Sequence, residues 1–145
     1  MYKRQSEDLA SDLPEIIRRS LCIKRDVVEN DPKENGLRRI LNFGHTIGHA
    51  VEGASRGRLL HGECVALGMP PMCSGEAARR ITAVLKKYGL PTEIKQSADE
   101  LMPYLLHDKK MGAGSVKAVL VDEIGQFRLC DMRPEEILGC LEKKS

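Results

Sequence analysis

Aromatic residues supply only 3% of this 145-residue chain. So few rings exclude a stacking surface for single-stranded nucleic acid, which needs successive aromatic platforms. An excess of charge of one sign is lacking as well: 23 lysines and arginines stand against 21 aspartates and glutamates, a net charge of +2. That balance makes neither nucleic acid nor an anionic membrane the main partner. No run approaches the roughly 20 apolar residues that cross a bilayer, and the opening MYKRQSEDLA holds no apolar signal-peptide segment. The five cysteines, Cys22, Cys64, Cys73, Cys130 and Cys140, are odd in number and never spaced C-x-x-C. They speak against a zinc knuckle and fit reduced thiols in a soluble, cytoplasmic chain. Internal repeats and low-complexity segments are missing too.

What remains suits a single domain spanning residues 1–145, with 41% apolar residues and too little length for two full-size cores. Apolar residues recur at helical spacing from Leu13, predicting a helix over about 12–29 with Ser11 or Asp12 as N-cap and Pro14 in its first turn. ENDPKENG breaks the pattern. A second helix is predicted from there to about Ala54, and a third from His61 that ends or kinks at Pro70 and Pro71. Further helices are expected over about 74–88, closed by Gly89 and Pro91, and over 98–106. VKAVLVDEIGQFRLCDM reads as a β-hairpin, and a short helix follows near Pro134. The predicted class is mainly α, a multi-helix domain with one small C-terminal β-hairpin.

The second predicted helix carries the chemistry. At about 100° per residue, Glu34, Arg38, Asn42, His45 and His49 fall on one polar stripe if helical geometry extends back to Glu34. Leu37, Ile40, Leu41, Gly44, Ile47, Gly48 and Val51 form the opposite, core-facing flank. A polar stripe usually faces water. Solvent faces, however, use lysine and glutamate, whereas two histidines one turn apart suit ligation or proton transfer. Each glycine also costs a helix about 1 kcal/mol relative to alanine, so Gly44 and Gly48 point to close backbone packing or function.

The following LLHGE adds His61 and Glu63. Histidines at i and i+4 can share a metal ion, but Thr46 stands where an H-E-x-x-H protease carries its glutamate, so the protease reading fails. Neutral imidazoles suit Zn²⁺, whose catalytic sites take three protein ligands and leave one position open. Spacing alone allows His45, His49 and His61, or two of them with a carboxylate. Lys24, Arg38, Lys109 and Lys110 are candidate contacts for an anionic ligand, arginine by a bidentate fork and lysine as a point charge.

LRRILNFGHTIGHAVE followed by LLHGECVALGM, preceded by IKRDVVENDPKENG and followed by YGLP and HDKK, resembles the C-terminal domain of 3-dehydroquinate synthase. The likeness runs from about residue 15 to the hairpin. It implies a sugar-phosphate cyclase, a phosphorus–oxygen lyase of the shikimate pathway toward chorismate and the aromatic amino acids. Such an enzyme converts 3-deoxy-D-arabino-heptulosonate 7-phosphate into 3-dehydroquinate and phosphate with NAD and a divalent metal, Zn²⁺ or Co²⁺. The resemblance implies transient oxidation of a hydroxyl by NAD, phosphate elimination, re-reduction and aldol closure.

Carried over by position, His45 and His61 resemble metal ligands, and His49 a catalytic histidine on the phosphate side. Glu34 resembles an active-site acid, Asn42 a phosphate contact, and Lys24 with Arg38 the grips on the substrate carboxylate. One of Lys109 and Lys110 resembles another phosphate contact. The family's N-terminal NAD-binding domain, with its glycine-rich segment and a glutamate ligand, is expected to be absent, because no comparable glycine cluster follows a strand here. The isolated chain is therefore expected to bind metal weakly and not to turn over. The implied partners are a phosphorylated sugar acid, the missing domain and, as a candidate, a second copy of the chain. Two alternatives stand beside this reading: a cyclase acting on another sugar phosphate, and a non-catalytic helical module that binds a partner or itself.

Overall fold

The computed structural model describes residues 9–34, 36–107 and 114–142. The chain forms two compact units, the first ending at Leu41 and the second beginning at Asn42.

In the first unit, α1 runs over Leu9–Asn30. It is already helical at Leu9, before the predicted start, so Pro14 lies inside the helix rather than in its first turn. Around that point Glu15 accepts hydrogen bonds from Arg18 (2.8 Å) and Arg19 (2.5 Å), one turn further on. Those arginines pull its carboxyl down to about 2. After α1, the Asp31 carboxylate accepts from the backbone N–H groups of Gly36 (2.8 Å) and Arg38 (3.0 Å), which closes the DPKENG turn. Glu34 sits in that turn at φ 55°, left-handed backbone that a non-glycine residue seldom adopts.

The predicted helix over 37–54 is two pieces. Leu37–Asn42 is a 3₁₀ helix, and α2 runs over His45–Ser55. Gly44 separates them at φ 77°. Its conformation suits glycine, and so does its surroundings: a Cβ there would stand 2.7 Å from the Val65 carbonyl oxygen. Val65 belongs to α3, His61–Gly68. A Cβ on Gly48 would stand 2.9 Å from the Val65 Cα, and one on Gly68 would strike the Gly44 carbonyl oxygen. Helices α2 and α3 thus meet backbone to backbone, as the two glycines of the sequence suggested.

A 3₁₀ turn at Pro70–Met72 ends this run, followed by α4 (Gly75–Lys87), α5 (Ala98–Leu106), the antiparallel strands β1 (Val116–Leu120) and β2 (Arg128–Met132), and α6 (Pro134–Glu142). The strands pair from Val116↔Met132 to Leu120↔Arg128. Their far end adds a parallel bridge that sequence periodicity did not reveal: Val121 N–H donates to Met72 O (3.0 Å) and Ser74 N–H to Val121 O (3.1 Å). The core gathers Ile47 and Val51 of α2, Cys64 and Leu67 of α3, Leu101 and Leu105 of α5, Val116 and Ala118 of β1, and Ile137 of α6. Among the described residues, six α-helices and the hairpin bear out the predicted mainly-α class.

Candidate metal and substrate site

With the helix broken at Gly44, the stripe from Glu34 to His49 is not one helical face. The apolar 3.6-residue rhythm of LRRILN also fits a 3₁₀ stretch, whose side chains recur every three residues. Lys24, Glu34 and Arg38 belong to the first unit. There, Arg38 donates through Nη1 to Pro32 O (3.0 Å), Arg39 donates to Glu34 O (3.2 Å), and Lys24 is exposed on α1. Asn42 opens the second unit at the end of the 3₁₀ turn. Lys109 and Lys110 lie outside the described residues.

The three histidines of the sequence argument do come together. His45 and His49 stand one turn apart on α2, and His61 is the first residue of α3. Their ring centroids form a near-equilateral triangle with sides of 5.5, 5.7 and 5.7 Å. The glycine crossing beneath them brings the two helix starts this close. On α2 the polar row continues to Glu52, three residues beyond His49, which the sequence reading passed over although its angular position on the helix was legible. Donor atoms of His49, Glu52 and His61 lie within 4.8 Å of one another.

The hydrogen bonds show which ring nitrogens carry the proton. His45 Nδ1 lies 3.2 Å from Phe43 O, and a carbonyl only accepts, so Nδ1 carries the proton. His61 Nδ1 lies 2.9 Å from Glu52 Oε2 and donates to that carboxylate in the same way. In both neutral rings the lone pair therefore falls on Nε2. This is the habit of metal-binding histidines, whose second nitrogen donates to a carbonyl or carboxylate. The donor set, imidazoles with a carboxylate, fits zinc or cobalt.

The neighbouring polar residues have other work. Glu63 accepts from the Leu60 backbone N–H (2.7 Å) and caps the start of α3. Cys64 is fully buried. Burial pushes its thiol pKa up, and the Glu52 and Glu63 carboxylates add to the effect, so it remains a neutral core thiol. A cleft of about 840 Å³ between α4 and the hairpin is lined by Arg79, Lys86, Asp122 and Arg128 among others and contains none of the histidines. Its Arg128 is already paired with Asp122 (2.5 Å).

Residues 2–111 match the family described as 3-dehydroquinate synthase C-terminal. The chain belongs to that family. Among curated relatives, the 3-dehydroquinate synthase of Enterococcus faecalis (strain ATCC 47077 / OG1RF) is 38% identical over 95% of this chain and 42% of its own length. That of Thermosynechococcus vestitus (strain NIES-2133 / IAM M-273 / BP-1) is 43% identical over 86% of this chain and 37% of its own length. The chain thus spans about two fifths of the curated relatives it matches. Among solved structures, a 2-deoxy-scyllo-inosose synthase complexed with carbaglucose-6-phosphate, NAD⁺ and Co²⁺ superposes with a TM-score of 0.78 at 23% identity, over 99% of this chain and 48% of that one. A 2-epi-5-epi-valiolone synthase from Streptomyces hygroscopicus subsp. jinggangensis 5008, with NAD⁺ and Zn²⁺ bound, gives 0.73 at 24% identity, over 89% of this chain and 39% of that one. At those identities the two structures share the fold of this chain. Among the described residues no helix is long and apolar enough to cross a membrane.

Proposed function

We propose that residues 1–145 act as the C-terminal, metal- and substrate-binding domain of a cytoplasmic 3-dehydroquinate synthase, which converts 3-deoxy-D-arabino-heptulosonate 7-phosphate into 3-dehydroquinate and phosphate in the shikimate pathway. The observation that carries this reading is the histidine triangle. In a chain of this family, His45 and His61 both turn Nδ1 to an acceptor, which puts the lone pair of each neutral ring on Nε2. Those two residues would hold Zn²⁺ or Co²⁺, which when bound polarises oxygens at the substrate carbon under oxidation.

The remaining roles belong to the chain's own side chains. His49 stands within 5.7 Å of both ligand rings and exchanges a proton on the phosphate side of the substrate, with Glu34 as a second acid–base group. The Asn42 amide donates to the phosphate, together with one of Lys109 and Lys110. Arg38 grips the substrate carboxylate with its fork and Lys24 adds a point charge. These assignments follow the matching motif positions. The carboxylate grips favour a sugar acid over a neutral sugar phosphate, and the 38–44% identities to 3-dehydroquinate synthases support the same choice. We place the nicotinamide site and the third metal ligand in the part of the relatives that this chain does not span.

The test is phosphate release from 3-deoxy-D-arabino-heptulosonate 7-phosphate with NAD and zinc present. The 145-residue chain alone is expected to release none above a no-protein control, and adding the N-terminal domain of a relative in trans to restore release. Turnover by the chain alone would overturn the division of the site. In parallel, His45→Ala and His61→Ala should each lower bound metal, and unchanged metal content in both would remove the ligand assignment.

A further inference from the structure

We propose that Glu52 is the positioning residue of the metal site: its carboxylate holds the His61 ring by Nδ1–H and thereby presents Nε2 to the ion. The proposal rests on reading His61 as a ligand, and it assigns a task to a residue outside that reading.

Three observations carry it. First, the contact is short and its direction is fixed by chemistry, with His61 Nδ1 2.9 Å from Glu52 Oε2 and only the imidazole able to donate. Second, His61 has little else to orient it. It opens α3 beside the strongly exposed Leu60, and its side chain is 53% exposed, so core packing does not fix its ring. His45 differs, because a carbonyl of its own chain turn, Phe43 O, takes its Nδ1. Third, Glu52 reaches His61 from the other helix. It sits on α2, whose backbone is pressed against α3 at Gly48 and Gly68, so the anchor of the carboxylate is rigid relative to the ring it holds. A carboxylate on the far nitrogen also makes an imidazole a better electron donor to a metal.

The competing role for Glu52 is direct ligation beside His49 and His61, since its oxygen lies within 4.8 Å of their donor atoms. An amide side chain separates the two. Glutamine keeps a carbonyl oxygen that accepts from Nδ1–H, but it is a poor ligand for zinc or cobalt.

The experiment uses the 145-residue chain as wild type, Glu52→Ala and Glu52→Gln, with far-UV circular dichroism to verify the helices. ¹⁵N spectra of the imidazoles in metal-free protein, at a pH where the histidines are neutral, report which nitrogen of His61 is protonated. Visible absorption during titration with Co²⁺ reports affinity. Wild type is expected to show His61 protonated on Nδ1. Glu52→Ala is expected to lose that preference and to bind Co²⁺ about 10–100-fold more weakly, while Glu52→Gln keeps the tautomer and stays within a few-fold of wild type. Equal loss of affinity in both variants would make Glu52 a ligand and overturn the proposal. So would an unchanged His61 tautomer and wild-type affinity in Glu52→Ala. Failure of the ligand assignment shows up separately, as Co²⁺ binding that His61→Ala leaves intact; the tautomer measurement then still decides what Glu52 does to the ring.

Discussion

Gly68 has no room for a single added carbon. A Cβ there would collide with the Gly44 carbonyl oxygen, and backbone cannot rotate aside as a side-chain tip can. Gly68→Ala should therefore destabilise the protein by about 3 kcal/mol or more, at the upper end of overpacking effects, measured as a shift in urea midpoint. Gly62→Ala, with open space around it, should be nearly silent by comparison. At His49 the consequence is chemical rather than structural. With the N-terminal domain supplied, His49→Gln should lower turnover by about 10²–10⁴-fold, the usual worth of a proton-transfer group, while metal content by atomic emission stays at the wild-type level. Loss of metal in that variant would instead move His49 into the ligand set, beside His45 and His61.

Among elements, α5 shows how a local code fixes a boundary. Ser97 Oγ accepts from the Glu100 N–H (3.3 Å), and Glu100 Oε2 accepts from the Ser97 N–H (2.8 Å), a reciprocal cap visible in the letters SADE. The hydrogen bonds at Ser97, backbone N–H first, hold the Glu100 carboxyl below its ordinary value. A depressed folded-state pKa contributes stability above the unfolded-state value, and that contribution is lost as the pH falls through the folded one. Removing the charge with Glu100→Gln should thus flatten the acid limb of the thermal-stability profile below about pH 4.5 and lower stability at pH 7. Ser97→Ala should cost about 1 kcal/mol. Helix ends marked by such residues were readable in advance, as at Ala98–Leu106. The break at Gly44 was not, because the contact that demands a glycine there, the Val65 carbonyl of α3, is reached only after the chain has folded back. The same blind spot extended the polar stripe to Arg38 and Glu34 and stopped it short of Glu52, where the helix actually continues it.

At the scale of the molecule, the histidine triangle was legible because its three members sit in two short motifs on consecutive helices, so little tertiary knowledge was needed to bring them together. Lys24, Glu34 and Arg38 lie in the first unit, and the proposed carboxylate grip of Lys24 and Arg38 and the acid–base role of Glu34 follow motif positions rather than helical periodicity. Equilibrium dialysis should find zinc on the chain alone bound more weakly than on the chain combined with the N-terminal domain of a relative, since two imidazoles leave a catalytic zinc one protein ligand short. The glycine crossing has one more consequence. Because α2 and α3 touch through main chain, the gap between the backbones that carry His45 and His61 is set by atoms that every amino acid shares. Swapping apolar side chains elsewhere in the core would alter stability without rescaling that gap. The spacing of the two helix starts is in this sense a gauge block machined into the backbone, held to size by the side chains that are not there.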